Sequence, residues 1–140
     1  MTEWLYDGAP IKEEDLANTA GFVYEVTNLK SGKRYIGKKT LWFKKTKMVK
    51  GKKKRFLVES DWREYWGSSK KLLEDIEESG VENFKRTILR WCSSKGESSY
   101  WEAKLQFENN VLIDENYYND LIRCRIHSSH IKDAKEKENS

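Results

Sequence analysis

Positive charge is concentrated in one stretch of this chain, and no other feature limits its fold as strongly. Between Val26 and Val58 there are thirteen Lys or Arg residues and no acidic residue, whereas the remainder has fourteen basic and twenty-three acidic residues. The segment from Lys38 to Arg55 is densest, with ten basic residues among eighteen. Because such charges repel one another, we expect a long loop or a ribbon flap here. This segregation is typical of a polyanion-binding face, although a solvated basic loop without a partner is the alternative.

The rest of the composition indicates one small domain. The chain has 140 residues, of which 37% are hydrophobic and 13% aromatic, and large aromatic side chains make a small core feasible. No apolar run exceeds three residues, which excludes a membrane-spanning helix in this sequence, and its first residues do not resemble a signal peptide. Two cysteines, Cys92 and Cys124, are too few for a disulfide scaffold or a cysteine-rich zinc site. We therefore expect a cytoplasmic location and no membrane partner.

Three segments are expected along the chain. Residues 1–20 would form an N-terminal arm, residues 21–130 a single domain, and residues 131–140 a charged C-terminal tail in which Lys and Glu predominate. A basic insertion, about residues 38–66, would fall inside the domain.

A β-hairpin is predicted at the start of the domain. Residues 21–27 alternate in the manner of a strand, and a second strand over 33–37 follows a turn-forming Asn-Leu-Lys-Ser-Gly sequence. If Asn28 pairs with Lys33, the rings of the tyrosines at positions 24 and 35 are diagonal neighbours on one face of the hairpin. Position 24 then lies opposite Gly37, and a slip of one residue would turn the two rings apart.

The remaining elements complete an α+β arrangement. Ser69 is a suitable N-cap for a helix over 70–79, and a shorter helix is predicted over 60–66. Residues 84–91 favour a third strand, and residues 98–109 favour another helix. The predicted fold is therefore α+β, with a small antiparallel three-stranded sheet flanked by helices and a basic insertion after the second strand.

Two tripeptides at hairpin spacing carry a family resemblance. Phe22-Val23-Tyr24 is followed, after ten residues, by Tyr35-Ile36-Gly37, and the pair resembles the double signature of the GIY-YIG nuclease family. The first tripeptide is degenerate, because Phe-Val-Tyr stands where that family has Gly-Ile-Tyr, and the second is intact. The resemblance covers roughly residues 21–120. Within the family, the chain looks most similar to small phage-borne members that are related to homing endonucleases.

Later segments match that family in the expected order. Ser68-Ser69-Lys70 resembles a Ser/Thr-Lys segment at a helix start, and Tyr100-Trp101-Glu102 resembles the helix that bears the family's metal-binding glutamate. Tyr117-Tyr118-Asn119 resembles its terminal asparagine motif. The resemblance implies an endonuclease that hydrolyses DNA phosphodiester bonds, with Mg²⁺ or Mn²⁺ as cofactor and double-stranded DNA as the expected substrate.

Phosphodiester hydrolysis suggests a role for each matched residue. Glu102, with water and phosphate oxygens, could hold one Mg²⁺. The resemblance implies that a tyrosine of the motif acts as the general base, and Tyr24 is the candidate. We expect surrounding lysines to favour its phenolate form. Tyr35 would orient water or phosphate, Gly37 would allow close approach of the backbone, and Lys70 would hold phosphate at a helix N-terminus.

The sequence departs from the family in its basic residues. Many relatives have an arginine about one helical turn after Tyr-Ile-Gly, often followed by a histidine, but this chain has no histidine before His127. Lys39 or Arg63 could take the arginine's place, and the choice is open because lysine lacks the bidentate guanidinium. The candidate catalytic residues are Tyr24, Tyr35, Gly37, Lys39, Arg63, Lys70 and Asn119, and the candidate metal ligand is Glu102.

The basic block supplies the candidate nucleic-acid contacts, because Lys and Arg neutralise backbone phosphates. They are Lys38, Lys44, Lys45, Lys47, Lys50, Lys52, Lys53, Lys54 and Arg55. Trp42 and Phe43, which lie among these lysines, could add a stacking surface.

Structural alternatives exist for these assignments. Tyr24 and Tyr35 could be cross-strand core aromatics. Ser99 and Glu102 fit an S-x-x-E capping box, in which the glutamate serves the helix start rather than a metal; a helix that begins nearer Glu97 would instead leave Glu102 in its interior. At the level of the whole chain, a non-catalytic nucleic-acid-binding module is the alternative function, and an adaptor that docks an acidic protein is a third. The sequence specifies no recognition site and no oligomeric state.

Overall fold

The computed structural model describes residues 3–131, so most of the charged tail predicted from residue 131 onward lies outside the described residues. Within them the chain forms seven strands and two α-helices. The strands are β1 (Trp4–Tyr6), β2 (Ala9–Pro10), β3 (Gly21–Asn28), β4 (Arg34–Thr40), β5 (Trp42–Val49), β6 (Lys52–Glu59) and β7 (Phe84–Cys92). The α-helices are α1 (Lys70–Ser79) and α2 (Lys95–Glu108), and 3₁₀ turns occupy Glu13–Leu16, Trp62–Glu64, Val81–Asn83 and Ser128–Ile131.

Five strands form the main sheet, in the order β2-β1-β7-β3-β4. Strand β3 pairs antiparallel with β4 and with the central strand β7, whereas β1 joins β7 in parallel and β2 pairs antiparallel with β1. The α+β class is confirmed, but the prediction of a three-stranded antiparallel sheet is wrong, since it describes only β7, β3 and β4. The two additional strands have three and two residues, and an alternation pattern cannot be recognised over so short a length.

Trp4 explains why the first strand joins this sheet. Its side chain is buried, with its ring 4.9 Å from that of Phe22 and 5.5 Å from that of Tyr24, both in edge-on geometry. The indole Nε1 donates a hydrogen bond to the carbonyl oxygen of Trp62 at 2.9 Å. Residues 4–6, which the sequence placed in an N-terminal arm, are therefore part of the sheet, and Trp4 is part of its core.

The pairing of β3 with β4 has the predicted register. Tyr24 lies opposite Gly37 and Val26 lies opposite Tyr35. The amide of Asn28 donates to the carbonyl of Lys33 at 2.8 Å and closes the hairpin. The two tyrosines therefore share one face of the sheet, as the sequence predicted.

Both faces of the sheet are covered. On one face, Phe22 and Tyr24 belong to a core that includes Leu72 and Ile76 of α1. On the other face, a second core contains Trp101 of α2. The strand β4 lies at the edge of the sheet, beside α2, and this edge is where the candidate site forms.

The basic segment forms a separate two-stranded ribbon, which we define as residues 42–59. Strands β5 and β6 pair antiparallel with each other and do not join the main sheet. Lys50 and Gly51 connect them with φ values of 51° and 76°, the combination that a two-residue type I′ hairpin requires. Of the two expectations for this segment, a loop or a ribbon flap, the ribbon is the one observed.

Capping residues define the two helices. Ser69 accepts a hydrogen bond from the amide of Leu72 at 3.3 Å, which confirms the predicted start of α1. The second helix begins at Lys95 rather than at residue 98, because Ser94 is its N-cap and accepts from the amide of Glu97 at 3.0 Å. Glu102 therefore lies in the helix interior, and its alternative role in a capping box with Ser99 is wrong.

The short helix predicted over residues 60–66 is reduced to a single 3₁₀ turn, Trp62–Glu64. The indole of Trp62 is buried and fixes this turn against the core. The conformation of this segment is therefore determined by tertiary packing rather than by a helical pattern in its sequence. None of the helices within residues 3–131 is long and apolar enough to cross a membrane.

The capping geometry gives a stability prediction. The substitution Ser94→Ala should lower the free energy of unfolding by about 1 kcal/mol, because it leaves an amide at the start of α2 without an acceptor. Ser99→Ala is the matched control and should change it by less than about 0.5 kcal/mol, since Ser99 is inside the helix. Urea unfolding followed by circular dichroism measures both variants, and a larger effect at Ser99 would contradict this helix start.

Candidate active site

A cavity of about 550 Å³ lies at the outer edge of β4. Four parts of the chain line it: the β3–β4 hairpin, the segment 65–69 before α1, one face of α2, and the segment 119–123. It is the meeting point of residues that are far apart in the sequence, which is typical of a functional site.

Two tyrosines form the inner wall of this cavity. The rings of Tyr24 and Tyr35 are 6.2 Å apart, and Tyr24 also packs edge-on against Tyr65 at 6.1 Å. The hydroxyl of Tyr35 lies 3.0 Å from Oγ of Ser68. Ring packing therefore holds Tyr24 in place, and a hydrogen bond holds Tyr35.

Two glycines make room for these rings. A Cβ atom on Gly37 would lie 2.6 Å from the hydroxyl oxygen of Tyr24 and 2.9 Å from Cε2 of Tyr35. A Cβ atom on Gly67 would lie 3.2 Å from the same two atoms, and Gly67 has a φ of +109°, which other residues rarely adopt. Gly37 lies in the middle of β4 and is thus needed for the convergence of the tyrosines.

Burial governs the protonation of both tyrosines. Tyr24 is only 1% exposed, and loss of solvent raises its pKa well above the ordinary value, with the neighbouring phenols and Glu102 adding to the shift. Burial also raises the pKa of Tyr35, and the hydrogen bond from Ser68 partly opposes this. The expectation that surrounding lysines favour the phenolate of Tyr24 is therefore wrong for the free chain, because burial dominates the shift and no lysine is among its causes.

Glu102 presents a half-buried carboxylate to the cavity from the middle of α2. Burial raises the pKa of this carboxyl group above its ordinary value, while the charges of Lys38 and Arg123 act in the opposite direction. The carboxylate is thus partly deprived of water beside the edge strand β4, a condition that favours binding of a cation.

Gln106 and Asn119 fasten the edge strand at Ile36. The carbonyl of Ile36 accepts from Nε2 of Gln106 at 2.9 Å and from Nδ2 of Asn119 at 2.8 Å, and its amide donates to Oδ1 of Asn119 at 3.0 Å. The amide group of Asn119 is therefore used on both sides to hold β4. By contrast, Oε1 of Gln106 is buried on the cavity wall and has no hydrogen-bond partner within residues 3–131.

The two lysines after Gly37 occupy different positions. Lys38 lines the main cavity, with Nζ 2.6 Å from Oγ of Ser99. Lys39 lines a neighbouring cavity of about 330 Å³, where its Nζ lies 2.6 Å from a carboxylate oxygen of Asp61 and 4.0 Å from the ring centre of Tyr65. The charge of Lys39 is therefore already paired beside the site.

Two predicted residues do not line the main cavity. The guanidinium of Arg63 pairs with Glu59 at 2.6 Å and with Glu13 at 3.0 Å, on another side of the molecule. Lys70 is the first residue of α1, but Ser69 is the nearest residue of the predicted Ser-Lys segment on the cavity wall.

Several residues on the cavity wall were not proposed from the sequence. Tyr65 directly follows the 3₁₀ turn Trp62–Glu64, and no local pattern indicates its contact with Tyr24. Arg123 lies in a segment without helix or strand and reaches the cavity only through the fold. Gln106 could have been found, since it is one helical turn after Glu102 and shares its face. Asp120 also lines the wall, next to the predicted Asn119.

Comparison with known proteins agrees with this arrangement. A family model described as "Putative endonuclease segE, GIY-YIG domain" matches residues 4–122. The chain belongs to the GIY-YIG family. Its sequence is 32% identical over 99 residues to a protein of Enterobacteria phage T4 named "Putative endonuclease segE". That alignment covers 70% of this chain and 39% of the phage protein, so this GIY-YIG chain spans well under half of its relative's length. No solved structure gives a significant match.

Family membership makes this a phage-type GIY-YIG nuclease domain and confirms the resemblance noted in the sequence. Nucleases of this family generally use divalent metal ions. No group of three or more His, Cys, Asp or Glu side chains suited to a metal occurs among residues 3–131. The donors that are present, the carboxylate of Glu102 and the unpartnered Oε1 of Gln106, are hard oxygen ligands, which suits an ion that keeps several waters.

The packing around Gly37 gives a second prediction. Gly37→Ala should destabilise the GIY-YIG domain by about 1–3 kcal/mol, because the added methyl group displaces the rings of Tyr24 and Tyr35. The cost should be smaller in a Tyr24→Phe background, where the closest atom is absent. Urea unfolding of the four proteins of this double-mutant cycle measures the coupling, and equal costs in both backgrounds would contradict the proposed contact.

Proposed function

We propose that this chain is a metal-dependent endonuclease that hydrolyses phosphodiester bonds of double-stranded DNA. One observation carries the proposal: Tyr24, Tyr35 and Glu102 converge on a single cavity that also contains the cations of Lys38 and Arg123. Hydrolysis of a phosphodiester needs a positioned water, stabilisation of charge on the phosphate and an acidic group for a metal, and these five side chains are of the required types.

Glu102 would hold the metal, and Gln106 would offer a second oxygen ligand through Oε1. Mg²⁺ is the expected ion and Mn²⁺ its substitute, since both accept oxygen ligands and retain water. When bound, the ion supplies positive charge that stabilises the developing charge on the phosphate oxygens.

The other side chains would position the substrate. Lys38 and Arg123 would bind phosphate oxygens, and a guanidinium can do so with two parallel hydrogen bonds. Tyr35, which is held by Ser68, would orient water or phosphate. Tyr24 keeps its proton in the free chain, so its role as general base requires cations in the loaded cavity to offset the effect of burial on its pKa.

Arg123 is our candidate for the arginine that this sequence lacks after Tyr-Ile-Gly. Arg63 is paired with two glutamates away from the cavity, and the ammonium of Lys39 is paired with Asp61. Arg123 lines the cavity, and its charge lowers the pKa of Glu102, which indicates that the two groups are close enough to interact. We propose that Arg123 supplies the guanidinium from the segment 119–123.

DNA outside the cavity would be held by the lysine-rich segment. Eight of the nine proposed nucleic-acid-binding residues lie on the ribbon, and Lys38 lies between the ribbon and the cavity. Contacts of this kind are to phosphates and give affinity without sequence preference. Because the relative is encoded by a phage, we place this activity in the cytoplasm of an infected cell.

A non-catalytic nucleic-acid-binding module is the second candidate function. It is favoured by the near-complete burial of Tyr24 and by the use of both polar atoms of Asn119 in holding Ile36. It would bind nucleic acid with the same dependence on salt, but it would require no metal and would not cut DNA.

Cleavage of supercoiled plasmid tests the enzymatic function. The chain should nick the plasmid in Mg²⁺ and not in EDTA. Glu102→Gln should reduce the rate by more than about 10²-fold. Loss of a residue that only supports a metal ligand typically lowers activity by about 10–100-fold, and loss of the ligand itself should lower it further. Glu108→Gln is the matched control on the same helix, where the exposed side chain pairs only with Lys104, and it should cut at the normal rate.

Two outcomes would overturn the enzymatic proposal. One is the absence of nicking by the unmodified chain in either Mg²⁺ or Mn²⁺, and the other is equal nicking by Glu102→Gln and the unmodified chain. Binding of duplex DNA without nicking would favour the second candidate function.

The role of Arg123 leads to a separate prediction. Arg123→Gln should reduce the cleavage rate by about 10²-fold, since removing one preorganised donor to a developing negative charge has an effect of this order. Arg63→Gln should leave cleavage unchanged and should lower the stability by less than about 1 kcal/mol, because its ion pairs are at the surface. Single-turnover rates on a plasmid measure both, and the reverse order would assign the role to Arg63.

A further inference from the structure

The ribbon of residues 42–59 projects from the domain with little support. Its strands pack mainly against each other, and each of their residues is exposed except Val49 and Val58, which are half-buried. An isolated two-stranded hairpin is marginally stable in water. Because packing contributes little to the stability of the ribbon, we looked for a ligand that would stabilise it.

Positive charge occupies both faces of the ribbon. Residues that are paired across an antiparallel ribbon point to the same face, so the observed register assigns each side chain. One face carries Lys45, Lys47, Lys52 and Lys54, and the other carries Lys44, Lys53 and Arg55. The only carboxylate on either face is that of Glu59, at the base, where it pairs with Arg63. A ribbon that lay flat on a surface would need cations on one face only, whereas a ribbon between two rows of phosphates can use both.

The pairing of like charges points to a polyanionic ligand. Lys47 lies directly opposite Lys54, and such pairs destabilise a sheet. Phosphates beside the ribbon would remove this repulsion. The register therefore favours a ribbon that is stabilised when it binds a polyanion.

The dimensions of the ribbon fit the major groove of B-form DNA. Strands of eight residues are about 26 Å long at roughly 3.3 Å per residue. A major groove about 12 Å wide admits a two-stranded ribbon. We propose that the ribbon lies in the major groove of the duplex that this domain cuts, with its cations on the phosphates of both strands. The A-form major groove of double-stranded RNA is too narrow and deep for the same contacts.

The base of the ribbon adjoins the candidate active site. Phe43 lines the neighbouring cavity together with Lys39, and that cavity shares Lys38 and Tyr65 with the main one. The tip, Lys50-Gly51, is at the far end. The ribbon would therefore cover about seven or eight base pairs, at 3.4 Å each, on one side of the scissile phosphate. This position, but not binding in the groove, rests on the proposed function.

The experiment compares two variants with the same number of charges removed. The ribbon variant carries Lys47→Gln, Lys52→Gln, Lys53→Gln and Lys54→Gln. The control variant carries Lys12→Gln, Lys30→Gln, Lys71→Gln and Lys85→Gln, which are exposed and lie outside the ribbon and the main cavity. Fluorescence anisotropy in EDTA measures binding of each protein to a mixed-sequence 30-base-pair DNA, to the RNA duplex of the same sequence and to the single strand.

The unmodified chain should bind duplex DNA at least tenfold more tightly than duplex RNA or the single strand. The ribbon variant should lose at least about tenfold in affinity, and its slope of log K against log salt should be smaller by about 3–4, or roughly 0.9 for each phosphate contact. The control variant should keep most of the affinity and slope. Methyl green, which occupies the major groove, should displace the unmodified chain, whereas the minor-groove ligand netropsin should not.

Equal losses in the two variants, equal binding to duplex RNA or the single strand, or displacement by netropsin alone would overturn the proposal. So would binding of an acidic polypeptide such as polyglutamate with the affinity measured for duplex DNA, since this would make the ribbon a protein-docking surface. The methyl green result does not depend on the folding of any variant. Binding as expected without plasmid nicking would refute the proposed function but support the groove contact. Nicking by the unmodified chain, together with an unchanged salt slope in the ribbon variant, would support the proposed function but refute the groove contact.

Discussion

The candidate site depends on the absence of a side chain at Gly37. Tyr24 lies directly across the β3–β4 pair from this residue, and its hydroxyl occupies the space that a Cβ would fill. The ring of Tyr35 uses the same space from the adjacent position. Because the register of an antiparallel pair fixes which side chains share a face, the hairpin determines the inner wall of the cavity before any helix packs against it.

Burial then determines the chemistry of that wall. Tyr24 is enclosed between Trp4 and Tyr65, and its pKa rises because a phenolate would be poorly solvated there. The carboxyl group of Glu102 is shifted upward for the same reason, although Lys38 and Arg123 oppose the shift. The wall therefore combines a partly desolvated carboxyl group with two exposed cations, Lys38 and Arg123, an arrangement that is typical of functional sites.

The accuracy of the sequence predictions depends on the range of the interactions involved. The register of β3 with β4 and the start of α1 at Lys70 are confirmed, because a short turn and the N-cap Ser69 specify them locally. The start of α2 was misplaced, since Ser94 and Ser99 are both acceptable caps and only packing selects between them. The extent of the sheet was also wrong, because the parallel pairing of β1 with β7 joins segments about eighty residues apart.

By itself, the sequence determined the paired tyrosine signature, the glutamate on a late helix and the segregated positive charge. These follow from alternation, helical spacing and composition, which are local properties of the chain. The resemblance to the GIY-YIG family depended on the order of the matched motifs. Only the tertiary structure decided that Tyr65 and Arg123 share the cavity and that Arg63 does not. The physical reason is that the segments carrying Tyr65 and Arg123 lack regular structure, so their positions follow from distant contacts rather than from their own sequence.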